Sequence, residues 1–332
     1  MFSNRLTNYL AVFFVVPMCV PAAAHAQETW RPEKNVEIIV PTAPGGGNDK
    51  TARTLQKIWQ ESGFNTTVQN RTGGGGAVAY SYLTQRPGDA HSVAIAQAGL
   101  FTNHITGKSA IHYTDFTVLA NLGTEPSAIA VRLDSPIKSG REFFDRLKQD
   151  PSAYSISIGS TMGGTSHTAL SRAYKVMAGD PKKLKVVAYA GTADAVPQLL
   201  GGHIDALISA INNVVPHVKA GKMRALAVTS PQRLTGEFAS VPTLRELGVD
   251  VVQMGWTIVM APKGLTPAQV RYWEDMIAKA AQTPEWKAYL AENYWTYTFQ
   301  RSGETVRYLA SEYEIARRAL VDLGMAKIEV AK

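Results

Sequence analysis

The chain has 332 residues, 45% of them hydrophobic, and 34 lysines and arginines against 27 acidic residues give a formal net charge of +7. That length suits about two domains of ordinary size with a large core between them. The single cysteine excludes a disulfide framework, and no basic run interleaved with aromatic residues points to nucleic acid.

At the N-terminus, Arg5, the apolar run from Leu10 to Val20 and the small-x-small sequence Ala24-His25-Ala26 compose a secretory signal peptide. The apolar run falls short of the ~20 residues a spanning helix needs, so removal is expected over anchoring. Cleavage after Ala26 takes Cys19 and one basic residue with it, leaving a thiol-free periplasmic chain that starts at Gln27 with a formal charge of +6. An exported, modestly basic surface suits anionic small molecules.

From there short apolar runs alternate with helical patterns. "VEIIV" at 36–40 precedes a helix over 50–61, whose Ala52, Leu55 and Ile58 share one face. "TTVQ" leads through a glycine loop to a helix over 77–85, and "SVAIA" follows at 92–96. Later, "YSISIG" precedes a helix over 166–177, "KVVAY" one over 193–200 and "IDALIS" one over 213–219, with "RALAV" closing the series. Strands apolar on both faces, alternating with helices, predict α/β lobes in which a mostly parallel sheet is flanked by helices. The last third is mostly helical: Val270, Trp273, Ile277 and Ala280 form one core-facing stripe, and Val306, Leu309, Tyr313, Ala316 and Leu320 another. Polar, proline-bearing stretches at 123–127 and 241–250 are where the chain can cross between lobes. They divide it into a first lobe of 27–126 plus 252–332 and a second lobe of 127–251, with a cleft between.

Four loops lie between a strand and a helix: "PTAPGGGND" (41–49), "NRTGGGG" (70–76), "GSTMGGTSH" (159–167) and "AGTAD" (190–194). In parallel sheets such loops share the C-terminal strand edge where ligands bind. Each opens a helix whose free N–H groups favour anions, and Asn48, Asp49, Ser160, Thr161, Thr165 and Ser166 add short polar groups. Glycines that only serve tight turns are the alternative for any single loop.

Enzyme motifs fail. Lys50-Thr51 follows Asp49 where a Walker A loop needs glycine, "GGGAVA" at 74–79 has no acidic residue about twenty positions on, and neither G-x-S-x-G nor H-E-x-x-H occurs. Ser160, His167 and Asp205 are the set a hydrolase would use, though a helix-start histidine and a strand-start aspartate more often hold neighbouring loops. No catalytic residue, metal or cofactor is assigned.

The ordered blocks "VEIIVPTAPGGGND", "VQNRTGGGG", "YSISIGSTMGGTSH", "VAYAGTADAVPQLLGGHIDALI" and "SVPTLRELG" resemble the periplasmic solute-binding proteins of the tripartite tricarboxylate transporter family, the Bug proteins, over Val36 to about Leu323. The resemblance implies a type II-like Venus flytrap that closes on a small organic acid or amide, acts as a monomer, and passes its ligand to membrane permease subunits or, alternatively, reports it to a sensor kinase. It places one binding loop at Pro41, Ala43, Pro44, Gly45, Gly46, Gly47, Asn48 and Asp49, and another at Ser160, Thr161, Gly163, Gly164, Thr165, Ser166 and His167. Gly191, Thr192 and Asp205 complete the expected ligand set, and Trp256 is a candidate cleft wall. Ala77, Ala190 and Ser209-Ala210 depart from the family pattern, as does the short "QAGLFTNHITG". The loss of a rim cation at Ala190 suggests a ligand whose far end carries little charge.

Overall fold

A computed structural model describes residues 30–159, 161–189 and 191–327. The signal peptide, its cleavage site, Ser160 and Ala190 lie outside the described residues. In chain order the elements are β1 (Val36–Val40), α1 (Gly47–Glu61), β2 (Thr66–Asn70), α2 (Ala77–Thr84), β3 (Ser92–Ala96), α3 (Gly99–Ile105), β4 (Phe116–Arg132) and α4 (Gly140–Gln149). These are followed by β5 (Ile156–Ser157), α5 (Thr165–Val176), β6 (Val186–Val187), α6 (Thr192–Leu200), β7 (Ala206–Ala210), α7 (Val215–Lys219) and β8 (Met223–Val228). The last are β9 (Met254–Pro262), α8 (Pro267–Gln282), α9 (Pro284–Glu292), β10 (Gln300–Arg301) and α10 (Ser302–Asp322).

The strands run β2-β1-β3-β9-β4-β7-β5-β6 across one sheet, with β8 and β10 also paired to β4. β1 is parallel to β2 and β3, and β5 is parallel to β6 and β7. Between these parallel sets stand β9 and β4, antiparallel to each other and to their other neighbours. β4 is the spine: Phe116 to Pro126 pair with β9, whereas from Ser127 onward its partners are β7 and β8. The polar stretch at 123–127 is therefore the middle of a continuous 17-residue strand, not a loop. Flanking runs of buried β-branched and small residues carry strand geometry through it, and register shifts between Val118 and Ala120 and between Asn121 and Gly123 absorb the irregularity.

Each half of the sheet is covered on both faces, which is why β3 is buried along its whole length. In the first half, Leu55, Trp59, Trp273 and Trp286 from α1, α8 and α9 pack on one face, and Tyr80, Leu83, Phe101, Leu309 and Leu320 from α2, α3 and α10 on the other. In the second half, Phe143, Phe144 and Leu170 from α4 and α5 face Leu199 and Val215 from α6 and α7 across the strands. Trp273 is wholly buried, and its indole N–H donates to the Ala90 carbonyl at 2.9 Å, so its large apolar surface is removed from water without orphaning its polar atom. The C-terminal stripes fall as the spacing predicts except at Val306, which is 42% exposed because α10 turns that residue away from the sheet. The expected helices all form, with α1 beginning three residues early at Gly47.

Candidate functional site

A cavity of about 220 Å³ opens where the strand ends of both halves meet. Thr42 after β1, Asn48 in the first turn of α1, Gln97, Ala98 and Gly99 after β3, and Glu125, Gly255 and Trp256 from the central strands wall it on the first side. Ser127, Ile158, Thr161, Gly164, Thr165, Ser166, Thr192, Ser209, Ala210 and Asn213 wall it on the second. The N-termini of α1, α5 and α6 converge here, and none has a side-chain cap: their N-cap positions are Gly46, Gly164 and Gly191. Uncapped first turns leave amide N–H groups for something else to satisfy, and the aligned dipoles favour a negative group.

The polar walls are tied together before any ligand arrives. The Asn48 amide donates to Gln97 Oε1 at 2.8 Å, the Asn213 amide donates to Ser209 Oγ at 3.2 Å, and the hydroxyls of Ser127 and Ser166 lie 3.4 Å apart. Across the halves, the Thr102 hydroxyl donates to the Gly163 carbonyl at 3.0 Å. A Cβ on Gly163 would lie 2.6 Å from Leu320, so this approach requires glycine, as does the residue's φ of +80°. Among the described residues lining the cavity there is no lysine, arginine or histidine, so the chain's positive charge lies elsewhere.

Residues 51–325 match the receptor of the tripartite tricarboxylate transporter family. The chain belongs to that family. Among its relatives, BugT of Bordetella pertussis is 28% identical over 287 residues, covering 84% of this chain and 86% of BugT. A TctC solute-binding protein from Polaromonas, solved without ligand, is 28% identical with a TM-score of 0.72, covering 88% of this chain and 99% of that one. An R. palustris protein solved with adipate shares the fold at a TM-score of 0.80 and 24% identity, covering 89% of this chain and 99% of that one. The family is one of receptors and not of enzymes. Among the described residues no helix is long and apolar enough to cross a membrane, and no group of three or more histidine, cysteine or acidic side chains is placed to hold a metal.

Within this tripartite tricarboxylate transporter receptor, the expected ligand residues divide into walls and supports. Asn48, Thr161, Gly164, Thr165, Ser166 and Thr192 line the cavity. Ala43, Pro44 and Gly45 are exposed outside it; Gly46 and Gly191 sit at helix caps; and Gly47 faces the Asn212 side chain of the other half, 3.4 Å from where a Cβ would stand. Asp49 is not among the residues lining the cavity and is held in the scaffold beneath it. Its carboxylate is buried and accepts from the Gly45 amide and the Arg53 guanidinium, each at 2.8 Å, and from the Asn70 amide at 2.9 Å. Burial pushes its pKa up, but the Arg53, Gly45 and Asn70 hydrogen bonds outweigh it and hold the carboxyl below its usual range. Asp49→Ala strands those donors and should cost about 2 kcal/mol, seen as a lower melting temperature together with weaker ligand binding, since loop 43–47 loses its anchor. An unchanged melting temperature would show that Arg53 and Asn70 find other acceptors.

His167 is likewise a support. Only 2% exposed, its Nδ1 accepts the Gly163 amide at 2.9 Å and so shapes the loop, while burial lowers its pKa to about 4. Asp205 stands at the far end of β7 from Ser209 and Ala210, where it accepts from the Ser155 amide at 2.8 Å and the Ser155 hydroxyl at 2.7 Å. His167 and Asp205 are thus engaged with separate partners. Ser160 lies outside the described residues.

The glycine loop at 70–76 also proves to be a support. Asn103 donates to the Gly74 carbonyl at 2.6 Å and the Gly75 carbonyl at 3.3 Å, and the loop backs the 97–99 wall. Its four glycines, 73–76, all take positive φ. Ala77, which begins α2, is not a wall residue, whereas Ser209 and Ala210 are. Trp256 lines the cavity and also packs 5.1 Å from the Phe101 ring in the core. Residues 97–99, 127, 209–210 and 213 were not assigned from sequence, although the strand-end rule that singled out the other loops applies to those after β3 and β7. Glu125 had no such signal.

Proposed function

We propose that the chain is an extracytoplasmic receptor that captures a small organic carboxylate between two lobes and delivers it to permease subunits of a tripartite tricarboxylate transporter. The carrying observation is the convergence of three uncapped helix N-termini from both sides of one cavity whose described lining holds no cationic side chain. Such a cavity holds an anion by N–H groups and hydroxyls, whose charge-assisted bonds strengthen when water is excluded. The partner change along β4 at Pro126 and Ser127 supports lobes of 27–126 plus 252–332 and 127–251. The reading includes export, with cleavage after Ala26, and action as a monomer.

The test begins with the mature chain purified without refolding, compared by native and denaturing mass spectrometry and then screened against small organic acids by thermal shift. A carboxylate that raises the melting temperature in proportion to the logarithm of its concentration, as linkage requires, supports the reading. Absence of any shift across mono-, di- and tricarboxylates sinks it. Ser166→Asp sharpens the assignment by placing a fixed carboxylate in the first turn of α5. Affinity should fall at least tenfold by calorimetry while the ligand-free melting temperature holds or rises, because an acidic residue suits that turn.

A further inference from the structure

Glu125 is the only ionisable side chain among the described residues lining the cavity. It stands in the middle of β4, opposite Gly255 of β9. A Cβ on Gly255 would come within 3.1 Å of Glu125 Cγ and 3.5 Å of its Oε1, so the missing side chain is what gives the carboxyl its room. Its Oε2 is buried and makes no hydrogen bond of good geometry; the donor beside the carboxyl is the Trp295 indole N–H, itself buried and otherwise unpartnered, which lowers the carboxyl's pKa and only partly offsets burial. The titratable group beside it is Tyr289, a phenol whose own pKa burial raises to about 12 and whose hydroxyl is already 2.8 Å from the Thr51 hydroxyl. A buried carboxyl with no counter-charge and only an imperfectly placed indole N–H is costly, and a well-placed donor from a ligand would relieve that cost.

We infer that Glu125 is a specificity-determining residue, and that the ligand is a small monocarboxylate whose far end carries an N–H donor, an ammonium or carboxamide, that the Glu125 carboxyl accepts where it lines the cavity. The inference rests on the carboxylate-receptor reading and names the class of ligand within it. The two ends of the cavity are then chemically opposite: helix N-termini receive the carboxylate, and an acceptor receives the nitrogen. A dicarboxylate would bring a second negative group toward Glu125 with no cation in the described lining to offset the pair. Burial lifts Glu125 to a pKa of about 7, so a dicarboxylate is tolerated only as the proton is taken up, whereas an ammonium gains as the proton is lost.

The experiment is calorimetry at pH 8 on the full mature chain with matched acids: succinate, its monoamide succinamate, and 3-aminopropanoate, together with aspartate and asparagine. The expected result is that an N–H-bearing acid binds at least tenfold more tightly than succinate in the wild type. In Glu125→Gln that preference should shrink below threefold, with the ammonium acid losing most and the amide acid least. Lowering the pH from 8 to 5.5 should tighten succinate in the wild type but not in Glu125→Gln, a readout that a merely structural role for Glu125 would not produce. Gly255→Ala, which crowds the carboxyl without removing it, should lower the same preference. Succinate equal to or tighter than both its nitrogen analogues at pH 8, or a preference unchanged in Glu125→Gln, overturns the inference while leaving the receptor reading intact. No binding by any acid in a panel widened to longer chains overturns both.

Discussion

At pH 8 the ligand-free Glu125→Gln protein melts several degrees above the wild type, and the gain disappears near pH 4. Burial raises the Glu125 carboxyl from 4.5 to about 7. At about 1.4 kcal/mol per unit this difference between folded and unfolded chains is worth about 3 kcal/mol. An acid whose folded pKa is raised is least costly to the fold when protonated. Its contribution is therefore intact below pH 4.5, declines as the pH rises toward 7, and stays lost above. Glutamine keeps the shape without the charge, so the variant escapes the decline. His167 acts with the opposite sign. Its pKa falls from 6.5 to about 4 on burial, so its contribution is intact above pH 6.5 and is lost as the pH drops through 4. Between pH 4.5 and 6.5 the two slopes oppose each other, and the wild-type melting temperature should be nearly level there. Removing Glu125 exposes the His167 slope, and the variant should lose stability steadily on acidification across that window. Melting curves at half-unit pH steps check both statements; parallel curves for the two proteins would mean that Glu125 is well solvated and its pKa ordinary.

How far the site could be read from the sequence depended on the rule each residue obeys. Loops at 41–49, 159–167 and 190–194 were legible because a strand, glycines and a helix start in that order have a known place in a parallel sheet. Membership of the walls was not. Asp49 and Asn48 are adjacent and both polar, yet α1 turns Asn48 toward Gln97 and Asp49 into the scaffold beneath Gly45 and Asn70. Which of two neighbours on a helix faces a cleft follows from helix placement, and that is set by core contacts such as Leu55 and Trp59, far from the loop. The glycines at 73–76 looked like a second ligand loop because a glycine run signals close approach without naming what approaches; here it is Asn103 and the start of α3. Glu125 was least legible. A carboxylate in "GTEPS" has the composition of a surface turn, and only the pairing of β4 with β9, from residues 130 positions apart, encloses it opposite Gly255. The long strand itself was missed for the same reason: its pairing partners, β7, β8 and β9, all come later in the chain and leave no local pattern.

Gly99→Ala is expected to damage both stability and binding, because the wall at 97–99 has no freedom to move outward. A Cβ on Gly99 would lie 2.4 Å from the Gly75 carbonyl oxygen, well inside contact distance and against backbone instead of a movable side chain. Either the first turn of α3 shifts toward the cavity, or the glycine loop shifts away from it. The loop resists, since residues 73–76 all hold positive φ and Asn103 grips the Gly74 and Gly75 carbonyls. α3 resists as well, with Leu100 and Phe101 only 2% exposed in the core. Overpacking of this kind costs about 1 to 3 kcal/mol, and more where backbone must move. Because Gln97, Ala98 and Gly99 are cavity walls, the relaxation should also weaken ligand binding at least tenfold. Gly221→Ala supplies the contrast. Gly221 has a φ of +63° with nothing within 4 Å of a Cβ, so alanine there meets strain but no collision. It should lower the melting temperature by the cost of a left-handed residue, about 1 kcal/mol, and leave affinity unchanged, because it lies in the turn between α7 and β8 and not in the wall. If Gly99→Ala matched Gly221→Ala in both measurements, the wall would be compliant, and the cavity would adapt its shape to the ligand instead of selecting the ligand by shape.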